Sequence, residues 1–324
     1  MAAGRRAAIK EYQDRVNRVL DYIGEHLDEE LSLKRLSRIA CFSPFHFHRI
    51  FQGVTGETLN SHVRRVRLER AALLLRTSPE KRITDVALET GFAGTAEFSR
   101  AFKNHFNRTA SSWDRRSPLE NSKICKDPQA IPFHTGEELE RWKRASNARL
   151  RVGRYEDFRY VYHRIYAPFA KGALLASYET LIAWLKQRGT DLRNVVLIGM
   201  SIDDPSITPP DKYRYDLGVA FPQTRGGILA EIVQSQGEFV PGKSECAAAG
   251  FTVRDFPAQP VVAFRCAGGI DQVGYVWQYL YRIWLPSGGY APADLPAMEL
   301  FVRTPEEIGW ETYDLEACIP VERL

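Results

Sequence analysis

The chain of 324 residues contains no run of 18 apolar residues, which argues against a membrane-spanning helix. Its start, Met1 to Arg6, has no apolar core behind it and does not read as a signal peptide. Five cysteines, Cys41, Cys125, Cys246, Cys266 and Cys318, are odd in number, widely scattered and free of any Cys-x-x-Cys spacing. That excludes a disulfide scaffold and a zinc ribbon, and it suits a reduced, cytoplasmic protein. His46 and His48 lack a third ligand at metal-binding spacing, so no metal is expected. A Ser-His-Asp arrangement, a Gly-rich phosphate loop and a paired-carboxylate motif are all missing, so neither catalysis nor a cofactor is expected.

Net charge is small, +4, but unevenly placed. Residues 1–116 hold 21 Lys+Arg against 14 Asp+Glu, a net +7, while the rest holds 23 against 26, a net −3. A basic first third joined to a mildly acidic remainder suits a nucleic-acid-binding head on a body with another task. At this length two or three domains are expected.

The strongest positive signal is a repeat. Leu36 to Phe51 and Val86 to Phe102 follow one pattern: Phe42 falls on Phe92 at an offset of 50, and Phe47, Arg49 and Phe51 fall on Phe98, Arg100 and Phe102 at 51. In each copy a short apolar-periodic helix meets a tight turn. A second helix then carries an arginine between core aromatics, which is the pattern of a helix-turn-helix. Two copies in one chain predict a protein that reads two successive major grooves. Tyr12, Val16, Val19, Leu20, Ile23 and Leu27 predict an earlier helix with one buried stripe. Ser32 and Ser43 are expected N-caps, Pro44 suits a first helical position, and Thr55-Gly56 ends the first groove helix. Leu33, Leu36, Ile39 and Ala40 are expected inward. A long helix near 57–76 should link the units, and a second groove helix is expected at about 95–106.

The outward faces then supply the candidate DNA contacts: Phe45, His48, Arg49 and Gln52 from the first unit, and Thr95, Ala96, Glu97, Ser99, Arg100 and Lys103 from the second. Arginine can bond both acceptors of guanine, so Arg49 and Arg100 are the expected base readers. Lys34, Arg35, Lys103 and Asn104 are expected at phosphates, where they position without reading sequence.

Residues 31–116 resemble the AraC/XylS family of transcription regulators, in its MarA/Rob-like double helix-turn-helix form. The residues that carry this are Leu36 to Gly56, Ile83 to Ala87, Gly91-Phe92 and Phe98 to Thr109. The resemblance implies seven helices, with base contacts at Phe45, His48, Arg49, Thr95, Ala96, Glu97, Ser99 and Arg100. It also implies double-stranded promoter DNA and RNA polymerase as partners. Ala110 and Trp113 depart from the family pattern near the end of the domain.

From Leu150 the sequence changes to aromatic-rich alternating strands and again repeats itself. Tyr155 to Arg164 leads to a helix ending at Trp184-Leu185, and Phe256 to Arg265 leads to one ending at Trp284-Leu285. Strands follow at Val195–Met200 and Tyr215–Ala220, then at Ala297–Val302 and Thr312–Ile319. Two β-α-β-β halves predict a mixed or antiparallel sheet with both helices on one face. The uncovered face and the groove between the halves are then free to hold something. Alternation along Ala297–Val302 places Ala297, Glu299 and Phe301 on one face. A carboxylate among aromatics suits a cationic or amphipathic ligand.

Residues 148–324 resemble the GyrI-like effector-binding domain through Val262 to Gly269, Tyr279 to Tyr290, Met298 to Phe301 and Ile319 to Val321. The resemblance implies a small-molecule effector held by Glu299, with Trp277, Tyr281 and Trp310 as aromatic walls. The expected architecture is multi-domain. An all-α double helix-turn-helix domain (8–116) is followed by a linker (117–147), with a short helix near 137–144, and an α+β domain of two β-α-β-β repeats (148–324). The leading reading is a ligand-responsive DNA-binding transcription regulator and not an enzyme. A GyrI-like hydrolase, with Glu299 and a nearby tyrosine acting on water, or a protein-binding module on a DNA-binding head, are the alternatives.

Overall fold

The computed structural model describes residues 2–78, 80–113, 134–146, 149–168, 170, 172–204, 207–222, 227–232, 241–293 and 295–323. They form two compact units. The expected linker 117–147 lies largely outside the described residues.

The first unit is helical: α1 (Ala2–Glu25), α2 (Leu33–Ile39), α3 (Pro44–Thr55), α4 (Leu59–Thr77), α5 (Ile83–Glu89) and α6 (Thr95–Phe106). In place of the implied seventh helix, the described residues hold a single 3-10 turn, Ala110–Ser112. The boundaries follow from local chemistry. Ser32 accepts from the Arg35 amide at 3.3 Å and Ser43 from the His46 amide at 3.4 Å, each satisfying an orphan N–H of a first turn. Pro44 opens α3, and Gly56 closes it in the left-handed region. Thr58 caps α4, and Asn107 ends α6 in a left-handed conformation.

Val16, Val19, Leu20 and Ile23 bury the inner stripe of α1, and Phe47, Phe51, Phe98 and Phe102 anchor the two groove helices. Two expected core residues lie elsewhere. Tyr12, midway along α1, and Leu33, the first residue of α2, are exposed, Tyr12 edge-on to Phe42.

The second unit begins with α7 (Gly136–Ala145), then β1 (Leu150–Tyr155), β2 (Phe158–Tyr166), α8 (Ala173–Gln187), β3 (Val196–Ser201), β4 (Arg214–Pro222), α9 (Gly227–Ile232) and α10 (Lys243–Ala249). It continues with β5 (Thr252–Phe256), β6 (Gln259–Gly268), α11 (Ile270–Tyr279), a π-helical turn (Leu280–Trp284), α12 (Leu285–Ser287), β7 (Tyr290–Pro292), β8 (Ala297–Phe301), α13 (Pro305–Ile308) and β9 (Tyr313–Arg323). Two boundaries differ from expectation. Helix α7 belongs with this unit, because Trp142 stacks on Tyr275 of α11 at 5.3 Å and donates to Gln272 at 2.8 Å. Residues 207–212, between β3 and β4 in sequence, group with the first unit.

All described pairings are antiparallel, in the order β1-β6-β9-β8-β3-β4-β2-β5, with β7 on β9. Each half therefore has an extra first strand that the sequence reading missed, and that strand pairs with the other half. Helix α8 packs on β2 and β4, and α11 on β6 and β9.

The face expected to stand open is closed. Tyr155, Phe158, Tyr160, Ile198, Met298 and Leu300 line it and are at most 1% exposed. The cause is topological. Strands β1 and β2 are joined by only Glu156 and Asp157 yet stand near opposite ends of the strand order, so the sheet curls and fills its concave side with its own residues.

Candidate functional site

In the first unit, both groove helices pack against α4. Helix α3 buries Phe47 and Phe51 and exposes Phe45, His48, Arg49 and Gln52. Phe45 is 65% exposed. The Arg49 guanidinium lies 4.8 Å from its ring centroid, so ring and cation are presented together. Helix α6 buries Phe98, Ala101 and Phe102 and exposes Ala96, Glu97, Ser99, Arg100, Lys103 and Asn104, with Thr95 half-buried. Lys34 is exposed. Arg35 is exposed as well, but it is paired with Glu29 at 2.6 Å and lies over Tyr22, so it would have to change partners to reach a phosphate.

A buried ionic cluster fixes the corner between α3 and α4. Arg65 binds Glu57 at 2.6 Å and Glu69 at 3.0 Å, and His62 Nδ1 lies 2.8 Å from Glu57. Burial raises the Glu57 pKa, but the bonds from His62 and Arg65 outweigh it and bring the value down to about 2.

In the second unit, Glu299 stands on β8 between the two halves. Its Oε1 accepts from Trp277 Nε1 at 3.0 Å and its Oε2 from Tyr215 Oη at 2.7 Å. Burial pushes its pKa above the ordinary value, and the two hydrogen bonds pull against that rise. Tyr215 is pushed well up, first by burial and then by the Glu299 charge, so it remains a donor. Both donors are neutral, and among the described residues no cation pairs with Glu299. Tyr281 stacks on Trp277 with centroids 6.1 Å apart.

Glu299, Trp277 and Tyr281 thus come together as expected. Trp310 does not touch this carboxylate. It is partly exposed, meets Tyr178 edge-on at 5.0 Å, and with Tyr215, Phe301 and Tyr313 lines a neighbouring cavity of about 40 Å³. Tyr178 and above all Tyr215 were not picked out as site residues from sequence. The one signal for Tyr215 was its alternation with Leu217 and Val219 along the strand.

A helix-turn-helix domain profile matches residues 36–116, and a GyrI-like small molecule binding domain profile matches residues 152–322. The regulatory protein SoxS of Salmonella typhimurium is 33% identical over 105 residues, which is 32% of this chain and 97% of SoxS. An AraC-type transcriptional regulator structure from Chromobacterium violaceum is 24% identical, covering 36% of this chain and 96% of that one, with a TM-score of 0.30. The C-terminal domain of EcmrR is 15% identical, covering 55% of this chain and all of that one (100%), with a TM-score of 0.37. The chain belongs to the AraC-type DNA-binding transcription regulators and carries a GyrI-like small-molecule binding domain.

Proposed function

We propose that the protein is a ligand-responsive regulator. Its first unit reads promoter DNA through Arg49 and Arg100, meeting RNA polymerase there. Its second unit takes an amphipathic or cationic effector at Glu299. The observation that carries the ligand half is a carboxylate set among aromatic rings and held only by neutral donors. A buried charge is expensive unless paired, and here the pairing is left to the ligand. The aromatic faces of Trp277 and Tyr281 suit the same cation.

The test is calorimetric titration of the full chain with tetraphenylphosphonium and with neutral triphenylphosphine oxide. Glu299→Gln keeps the shape of the side chain and should weaken the cation about tenfold to a hundredfold, since a charge-assisted contact is worth about 1.5–3 kcal/mol. The neutral compound should bind almost unchanged. Equal cation binding by both proteins would remove Glu299 from the ligand site. The hydrogen bond from Tyr215 also keeps the hydrolytic alternative in view. Turnover of a bound reactive compound, lost in Glu299→Gln, would favour it.

A further inference from the structure

We infer that Gly199 and Tyr215 work as a pair that positions Glu299, which makes Tyr215 a specificity-determining residue of the ligand site. Strand β3 lies between β4, which carries Tyr215, and β8, which carries Glu299. The two side chains must therefore meet across two strand spacings, about 10 Å. They do so by lying across β3, directly over Gly199. A Cβ at that position would stand 2.5 Å from Tyr215 Cζ and closer still to the hydroxyl, so any other residue would displace the tyrosine. The backbone gives no separate reason for glycine here. Gly199 is ordinary extended strand outside the left-handed region, where glycine only weakens a sheet.

The repeat explains how such a pair arises. An offset of 100 residues carries the pair Gly199–Leu217 onto Glu299–Ala317, and Gly199 and Glu299 are themselves register partners. The two halves thus place equivalent residues face to face at the centre of the sheet. One supplies the carboxylate. The other supplies open space and a tyrosine to cross it, where the second half has Leu315. Tyr215 on one oxygen and Trp277 on the other fix the plane of the carboxylate and favour its charged form against burial. A cationic ligand therefore finds its counter-charge formed and oriented.

The inference rests on Glu299 being the ligand's counter-charge, but its first readout needs no ligand. The full chain is labelled with [δ-13C]glutamate, and the Glu299 signal is identified by its loss in Glu299→Gln. Tyr215→Phe should raise the Glu299 titration midpoint by about one pH unit or more, the size of one lost charge-assisted hydrogen bond. Gly199→Ala should shift it the same way and should add little in the Tyr215→Phe background, because the bond is already gone. A folded Tyr215→Phe protein that titrates like wild type overturns the inference. So do shifts from the two substitutions that simply add.

Tetraphenylphosphonium, whose charge does not titrate, supplies the second readout. Its binding should fail at higher pH in Tyr215→Phe than in wild type. If wild type and Glu299→Gln bind it equally while the titration shifts appear, the pair stands and the ligand reading falls.

Discussion

Gly91→Ala tests how the turn of the second helix-turn-helix is built. Gly91 has φ +77°, a region in which an added Cβ costs about 1–2 kcal/mol. The new Cβ would also press into the Leu27 carbonyl and stand 2.6 Å from Nη2 and 2.7 Å from Cζ of Arg67. That guanidinium donates to Leu27 O at 2.9 Å and to Glu29 O at 2.7 Å, tying the segment after α1 to α4. A charged hydrogen bond contributes about 1.5–3 kcal/mol, so displacing the guanidinium adds to the strain. With imperfect additivity the total should be about 3–5 kcal/mol.

Hydrogen exchange of the full chain, read on peptides from α4 to α6, should show protection falling by about a hundredfold to several thousandfold. The first copy offers the opposite perturbation. Cys41 occupies the matching place and holds φ 53° without being glycine. Cys41→Gly should stabilise α2 and α3 by about 0.5–1 kcal/mol, the relief of strain less the extra freedom of the unfolded chain. The reasoning fails if Gly91→Ala changes exchange by less than about fivefold, or if Cys41→Gly speeds it, because the left-handed residue would then not govern either turn.

Two further outcomes are expected. In gel-shift titrations Arg49→Ala should erase preference at one base, by about 1–3 kcal/mol, while Lys103→Ala should weaken all sequences alike and reduce the slope of log K against log salt by about 0.9. A change of preferred sequence in Lys103→Ala but not in Arg49→Ala would reverse that assignment. The second outcome concerns acid. Because the Glu57 pKa is depressed from 4.5 to about 2 in the folded chain, its contribution is complete above 4.5 and is lost as pH falls toward 2. Fully sheltered, such a shift would be worth about 3 kcal/mol, and roughly half that with the partial screening at this site. Urea midpoints of wild type and Glu57→Gln should therefore converge as pH drops below about 4, and a gap that stays constant would exclude Glu57 as the titrating group.

What was legible in the sequence was local or periodic. Ser32, Ser43, Pro44 and Gly56 mark helix ends through bonds to their own neighbours, and α6 spans 95–106 as its aromatic spacing predicts. Glu299 could be placed among aromatics because alternation along one short strand fixes its face. The rest depended on partners far apart in the chain. Nothing local to β1 says that it pairs with β6, or that the curled sheet fills the face thought to be open. Tyr215 was missed because it meets Glu299 only through an intervening strand that happens to carry glycine. Trp310 was grouped with the carboxylate through the family resemblance, whereas its ring meets Tyr178 edge-on.

The exchange of first strands sets a delay on assembly. Leu150 pairs with Phe264, so β1 must wait for about 110 further residues before its partner exists. At roughly 5–20 residues per second that is on the order of 5–20 s of synthesis with an unpaired edge. During that interval β1 is a template for any other extended chain. Its composition guards against this: Arg151 and Arg154 place charge along the strand, and Gly153 lowers its tendency to pair in error. The two arginines protect the newborn chain before β6 arrives, and Arg151 then binds Glu316 in the finished sheet.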